Sequence, residues 1–186
     1  MIEFHSTKLP EVVRITSSVY SDSRGYFQET WHRDTYAGAG IDAHFVQDNT
    51  SRSCRHTLRG LHYQFPRQQG KLITCLRGEV LDVAVDIRAG SPRFGQWTAH
   101  ILSDENHEQL WVPPGFAHGF LVQSKTADVC YKCTDFYVSG DDGGILWSDP
   151  GIGIAWPDVE PLLSAKDASL FTLNAVPEAR LPRYAP

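Results

Sequence analysis

The sequence predicts an all-β domain, a jelly-roll barrel or sandwich with short helices at the N-terminal side and at the C-terminus. Three observations carry this. The middle of the chain is a succession of short apolar or alternating runs, turn residues separate those runs, and helical patterning is confined to the ends. The 186 residues match the length of one domain, and a domain of that size buries roughly 70% of its unfolded surface. Residues 1–186 are therefore expected to form a single domain, with a β-core over about 44–147 and a small helical lobe over about 158–186.

In chain order, Thr30 to Ala37 reads as a short helix stopped by Gly38 and Gly40. Strands follow at Lys71 to Arg77, Glu79 to Ile87, Gln96 to Leu102, Gln109 to Val112, Ala117 to Gln123 and Ala127 to Tyr137. Turn signals at Arg77-Gly-Glu79, Ala89-Gly-Ser-Pro92, Ser103-Asp-Glu-Asn106, Val112-Pro-Pro-Gly115 and Ser139 to Gly144 punctuate them. In the second strand Leu81, Val83, Val85 and Ile87 fall on one face and Asp82 and Asp86 on the other, so one dry and one polar side are expected. A Gly- and Pro-rich stretch, Trp147 to Pro161, leads to a last helix over Ser164 to Phe171, where Ser164 and Asp167 have capping-box spacing.

Composition removes several classes. With 41% hydrophobic and 21% charged residues the chain is neither disordered, collagenous nor a coiled coil. No apolar run approaches the roughly 20 residues that cross a bilayer, and Glu3, His5, Lys8, Glu11 and Arg14 interrupt the first residues where a secretory signal would need an apolar stretch. The expectation is a soluble, cytoplasmic protein without a membrane partner, and a net charge of −5 argues against nucleic acid. Four cysteines are too few for a disulfide scaffold. Cys130 and Cys133 lie three apart on a strand and so point to opposite faces, which favours buried thiols over a redox or zinc pair.

Charge is unevenly placed. Between Asn49 and Gly78 stand six basic residues, Arg52, Arg55, Arg59, Arg67, Lys71 and Arg77, and no acid. A solvated face is the plain explanation, but Leu58, Gly60, Leu61, His62, Tyr63 and Phe65 are interleaved with them, and arginine's planar fork suits phosphate. His62 and His118 fall on separate runs that a barrel can aim at one interior. A divalent metal needs several converging nitrogen and oxygen ligands. Gln64, Gln68, Gln69 and Lys71 occupy the positions where further ligands would stand, and an ammonium repels a cation, so no metal is expected.

Ten segments carry a resemblance. Asp22-Ser-Arg-Gly-Tyr-Phe-Gln-Glu29, Gln47-Asp-Asn49, Leu58-Arg-Gly-Leu-His-Tyr-Gln64, Gln69-Gly-Lys-Leu72, Asp82-Val-Ala-Val-Asp-Ile-Arg88, Ser91-Pro92, Pro114-Gly-Phe-Ala-His-Gly-Phe120, Tyr131-Lys-Cys-Thr-Asp-Phe-Tyr137, Trp147-Ser-Asp-Pro150 and Leu163-Ser-Ala-Lys-Asp167 closely resemble, in order, the dTDP-4-dehydrorhamnose 3,5-epimerase family. The resemblance implies a cupin-like jelly roll, dimeric through β-sheet, that uses no metal or cofactor and epimerises carbons 3 and 5 of a dTDP-linked 4-keto-6-deoxyhexose. By the same matching His62 is the base, Asp167 its orienting partner, Tyr131 the acid on the opposite face and Lys71 the stabiliser of the enolate oxygen. Arg24, Arg59 and Lys166 resemble diphosphate ligands. Phe27, Glu29, Gln47, Asn49 and Tyr137 resemble nucleotide contacts, some reaching across the dimer, and His118 lies with the substrate-binding residues. The sequence departs from the family at Arg93, at Val138 to Gly144 and at Ser169 to Phe171, where a Thr and two prolines are usual.

The chemistry of the residues agrees with these roles. Both carbons flank a carbonyl, so losing either proton gives an enolate whose charge a fixed cation stabilises, and a carboxylate on the imidazole steadies the imidazolium that forms. Each residue also has a plainer reading: a helix cap for Asp167, aromatic packing for Tyr131 and Tyr137, a surface strand position for Lys71. A relative that epimerises carbon 3 alone and a non-catalytic sugar-nucleotide-binding protein remain open alternatives.

Overall fold

The computed structural model describes residues 1–185. Its larger sheet has six strands in the order β1 (Ile2–Ser6), β2 (Val13–Ser17), β10 (Gln109–Val112), β7 (Lys71–Arg77), β12 (Thr126–Cys133) and β5 (Gln47–Cys54). The second has five, β13 (Asp142–Gly144), β6 (Leu58–Gln64), β11 (Phe116–Val122), β8 (Glu79–Asp86) and β9 (Trp97–Ser103). A hairpin of β3 (Val19–Asp22) and β4 (Gly25–Gln28) forms its own two-stranded sheet. Apart from β1–β2 and β8–β9, strands adjacent in the two large sheets come from distant parts of the chain, the mark of a jelly roll.

Three apolar clusters follow from strand alternation. Ile73, Val80, Ala84, Leu110, Phe116, Phe120 and Val129 fill the space between the sheets. The outer face of the five-stranded sheet, with Leu61, Val83 and Val85, is covered by Ile145, Ile152, Leu173 and Leu181 from the C-terminal segments. The outer face of the larger sheet, with Ile15, Leu72 and Trp111, is covered by Tyr36 of helix α1 (Arg33–Gly38). Both sheets are thus covered on both faces, and this changes one expectation. The polar side of β8 is not wet: Asp82 and Asp86 are fully buried, Asp82 bonded to His118 and Asp86 to Arg88 and Ser91. Buried carboxylates require such partners.

Other elements differ from expectation for local reasons. β1 and β2 lie before residue 44 and extend the larger sheet. β5 has no apolar alternation because its inward residues Gln47, Asn49 and Ser51 line a polar cavity rather than a dry core, and Ser53 accepts a hydrogen bond from Arg59. The strand expected over Ala127 to Tyr137 stops at Cys133. Beyond it side-chain amides take over the backbone groups: Gln69 donates to the Asp135 carbonyl at 2.8 Å, Tyr137 N–H donates to Gln47 at 2.9 Å and Val138 N–H to Gln64 at 2.7 Å. Helix α1 starts at Arg33 rather than Thr30, with His32 as its N-cap. The last helix, α2 (Ala165–Ala168), is one turn rather than the eight residues Ser164 to Phe171. The cysteines are free, and Cys54 is exposed and Cys130 half-buried, so burial holds only for Cys75 and Cys133. Among the described residues no helix is long and apolar enough to cross a membrane.

Candidate active site

Two adjoining cavities of about 280 and 260 Å³ share His62, Lys71, Tyr131 and Lys166, and together they form one polar cleft between the sheets. Strand parity explains how the sequence builds it. On the larger sheet Asn49 stands opposite Tyr131 and Gln47 opposite Cys133, while Cys133 stands opposite Lys71, so Gln47, Asn49, Tyr131 and Lys71 share the inward face. On the other sheet His62 of β6 stands opposite His118 of β11, and both line the cleft.

His62 Nε2 lies 2.6 Å from Asp167 Oδ1, although 105 residues separate them. The helix-cap and dyad readings of Asp167 prove compatible. The Asp167 backbone N–H donates to the Ser164 hydroxyl at 3.0 Å, which caps α2, and this leaves the carboxylate free to turn to the histidine. Burial alone would raise the Asp167 carboxyl, but hydrogen bonds from His62, Ser164 and the Gly60 backbone, with the histidine's charge, hold it below the ordinary carboxylate value. An ionised Asp167 accepts a proton-bearing Nε2, and in that tautomer Nδ1 carries the lone pair.

Gly60 makes room for this arrangement. A Cβ there would stand 2.6 Å from the His118 carbonyl oxygen and 2.7 Å from Gly119 Cα, and its φ of +112° is one that side chains rarely adopt. His118 is buried, with Nε2 2.9 Å from both Asp82 oxygens, and so forms part of the cleft floor.

The facing wall holds Tyr131 and Lys71, whose ammonium lies 6.0 Å from the phenol ring centre. Burial pushes the Tyr131 phenol above the ordinary tyrosine value, so it is protonated at neutral pH. Burial pushes the Lys71 ammonium down, against the pull of Cys133, Asp142 and Asp82. Gln47 Nε2 donates to Asn49 Oδ1 at 3.0 Å, and Asn49 Nδ2 donates to the Cys133 thiol at 3.5 Å, so the polar row is braced along the strand. Tyr137, 55% exposed at the mouth, donates its hydroxyl to Asp142 at 3.2 Å.

Of the thirteen residues singled out from the sequence, ten line this cleft. Arg24, Phe27 and Glu29 do not. They sit on or beside the β3–β4 hairpin, exposed, and Arg24 pairs with its neighbour Asp22. The basic run also divides: Arg59 and Lys71 line the cleft, whereas Arg52 pairs with Asp128 and Arg67 with Asp141. Sequence reasoning missed Asp142, which lines the cleft and forms an ion pair with Lys166, and Ser51, whose hydroxyl is buried without a hydrogen-bond partner among the described residues. Ser51 shares the parity of Gln47 and Asn49 and was recoverable from that alternation. Asp142 falls in a Gly-rich segment that reads as a turn in the sequence, and it carried no signal.

The chain matches the family model for dTDP-4-dehydrorhamnose 3,5-epimerase over residues 6–175. It is 51% identical over 163 residues to the dTDP-4-dehydrorhamnose 3,5-epimerase of Shigella flexneri, covering 87% of this chain and 90% of that one. Among solved structures, the 3,5-epimerase of Legionella pneumophila Philadelphia 1 in complex with dTDP-4-keto-L-rhamnose superposes with a TM-score of 0.98 at 48% identity, over the whole of both chains. A 3'-monoepimerase from Streptomyces bikiniensis in complex with dTDP-quinovose reaches 0.91 at 34% identity, over 97% of this chain and 93% of that one.

Proposed function

The chain belongs to the dTDP-4-dehydrorhamnose 3,5-epimerase family, and on that premise we propose that it inverts carbons 3 and 5 of dTDP-4-keto-6-deoxy-D-glucose to give dTDP-4-dehydro-L-rhamnose. The observation that carries the chemistry is His62 of the smaller sheet, paired with Asp167 of helix α2, facing the protonated Tyr131 and Lys71 of the larger sheet across the cleft.

In this reading His62 Nδ1 takes the proton at carbon 3 or 5, the electron pair moves into the ring as the carbon–carbon double bond of an enolate, and charge develops on the carbon 4 oxygen. Asp167 accepts the hydrogen bond from the imidazolium that results. The Lys71 ammonium faces the developing oxyanion, a preorganised charge of the kind worth about 10²- to 10³-fold in rate. Tyr131 then delivers a proton from the opposite face, which inverts the centre, and solvent resets both groups. A general base and acid placed this way contribute about 10²- to 10⁴-fold each.

The reading also assigns Arg59 and Lys166 to the diphosphate and Gln47, Asn49 and Tyr137 to the nucleotide, with Arg24, Phe27 and Glu29 supplied to a neighbouring copy. The exposure of Tyr20, Tyr26 and Phe27 at 62, 58 and 69% supports a homodimer in which the hairpin completes the partner's site. We place the reaction in the cytoplasm. The test is incubation with the keto-sugar in D₂O followed by NMR. Deuterium at carbons 3 and 5 is expected; label at carbon 3 alone would make the chain a monoepimerase like its Streptomyces relative, and none at either carbon would defeat the assignment.

A further inference from the structure

We propose that Asp142 is an affinity-tuning residue: its carboxylate holds Lys166 when the site is empty and competes with the phosphates of an incoming nucleotide for that ammonium. The inference rests on the chain acting on a nucleotide-linked sugar, as argued above.

One oxygen of Asp142 serves two partners. Oδ2 pairs with the Lys166 ammonium and accepts the Tyr137 hydroxyl at 3.2 Å. The carboxylate is the fixed member of this cluster. Asp142 opens β13, its backbone in register with Gln64 of β6, and its side chain is 17% exposed, whereas that of Lys166 is 49% exposed. Around it the cleft is basic, with Lys71 and Arg59 lining the same space, and the other carboxylate lining it among the described residues, Asp167, is occupied by His62. A carboxylate beside an anion site opposes anion binding. Its presence is intelligible as an internal substitute: it keeps Lys166 paired in the empty site, and any phosphate that recruits Lys166 must displace it. Nucleotides anchored at further points succeed, singly held anions are disfavoured, and the bound nucleotide is released more readily. A ligand with no phosphate never meets this competition.

Calorimetric titration with dTDP and, by competition, with thymidine tests the proposal on the intact protein. Asp142→Asn keeps an acceptor for Tyr137 and removes the charge. A partly exposed ion pair of this kind sets an expected gain of about three- to fivefold in dTDP affinity, with thymidine unchanged. Asp142→Ser should show the same gain, and in a Lys166→Met background the gain should vanish. Equal shifts for both ligands, weaker dTDP binding, or a gain that survives without Lys166 would overturn the competition. If the wild-type protein binds no dTDP, the nucleotide-sugar reading itself falls; an unchanged variant beside a binding wild type removes the role of Asp142 alone.

Discussion

His62 and Asp167 meet at 2.6 Å across 105 residues of chain, one on a strand of the smaller sheet and the other on a one-turn helix capped through the Asp167 backbone N–H, which leaves its carboxylate to the histidine. Asp167→Asn retains the shape and removes the charge that fixes the imidazole tautomer. Turnover should fall about 10²- to 10³-fold with little change in KM, and His62→Ala should fall at least as far, both read by NMR of the epimerisation. Because Asp167 is held below the ordinary carboxylate value near 3.8, the pair's contribution to stability is complete above that value and is lost as pH falls through the lower folded value. Asp167→Asn should therefore flatten the acid limb of a plot of melting temperature against pH. An unchanged acid limb would separate the pair from stability.

His62 and Tyr131 line the cleft from different sheets, and if they act as the proposed base and acid, removing the phenol hydroxyl should uncouple the two halves of the reaction. Tyr131→Phe is expected to lower product formation about 10²-fold or more while solvent deuterium still enters the recovered substrate through His62. Parallel loss of exchange and product would argue that Tyr131 acts in proton removal instead.

Lys71 holds a charge that the fold makes costly. Its ammonium is pushed down by burial, so the penalty on the folded state is complete below the folded value and fades as pH rises toward the ordinary lysine value near 10.5. Lys71→Met should accordingly raise the melting temperature at neutral pH, by less as pH approaches that value, while lowering turnover about 10²- to 10³-fold. Opposite signs for stability and activity are the signature of a functional charge. A lower melting temperature would instead make Lys71 a structural residue.

Gly60 sits where two strands approach too closely for a side chain. Gly60→Ala should cost about 2 kcal/mol or more, from the positive φ and the clash with β11 together. Urea denaturation measures this. Activity should fall as well, since Gly60 lies two residues from His62 and its backbone bonds Asp167.

The hairpin gives a test of assembly. Phe27→Ala should be inactive through its partner's site and His62→Ala through its own. Mixing the two after subunit exchange should restore activity that neither has alone, whereas two inactive proteins that stay inactive would show that the hairpin does not complete the partner's site.

Local patterning determined the β class, since alternation and turn residues act over a few positions, and it located the apolar strands Lys71–Arg77 and Gln109–Val112 at their observed ends. It could not delimit β5, whose inward residues are polar because they face a cleft, nor show that Asp82 is buried, since alternation tells which side a residue takes and not what covers that side. Residue chemistry and motif resemblance brought His62, Tyr131, Asp167 and Lys71 together as a set. Their meeting depends on sheet order, which puts β7 beside β12 and β6 beside β11 and closes one sheet over the other. The same closure set Asp142 against Lys166, a pairing between two surface segments that only long-range packing decides.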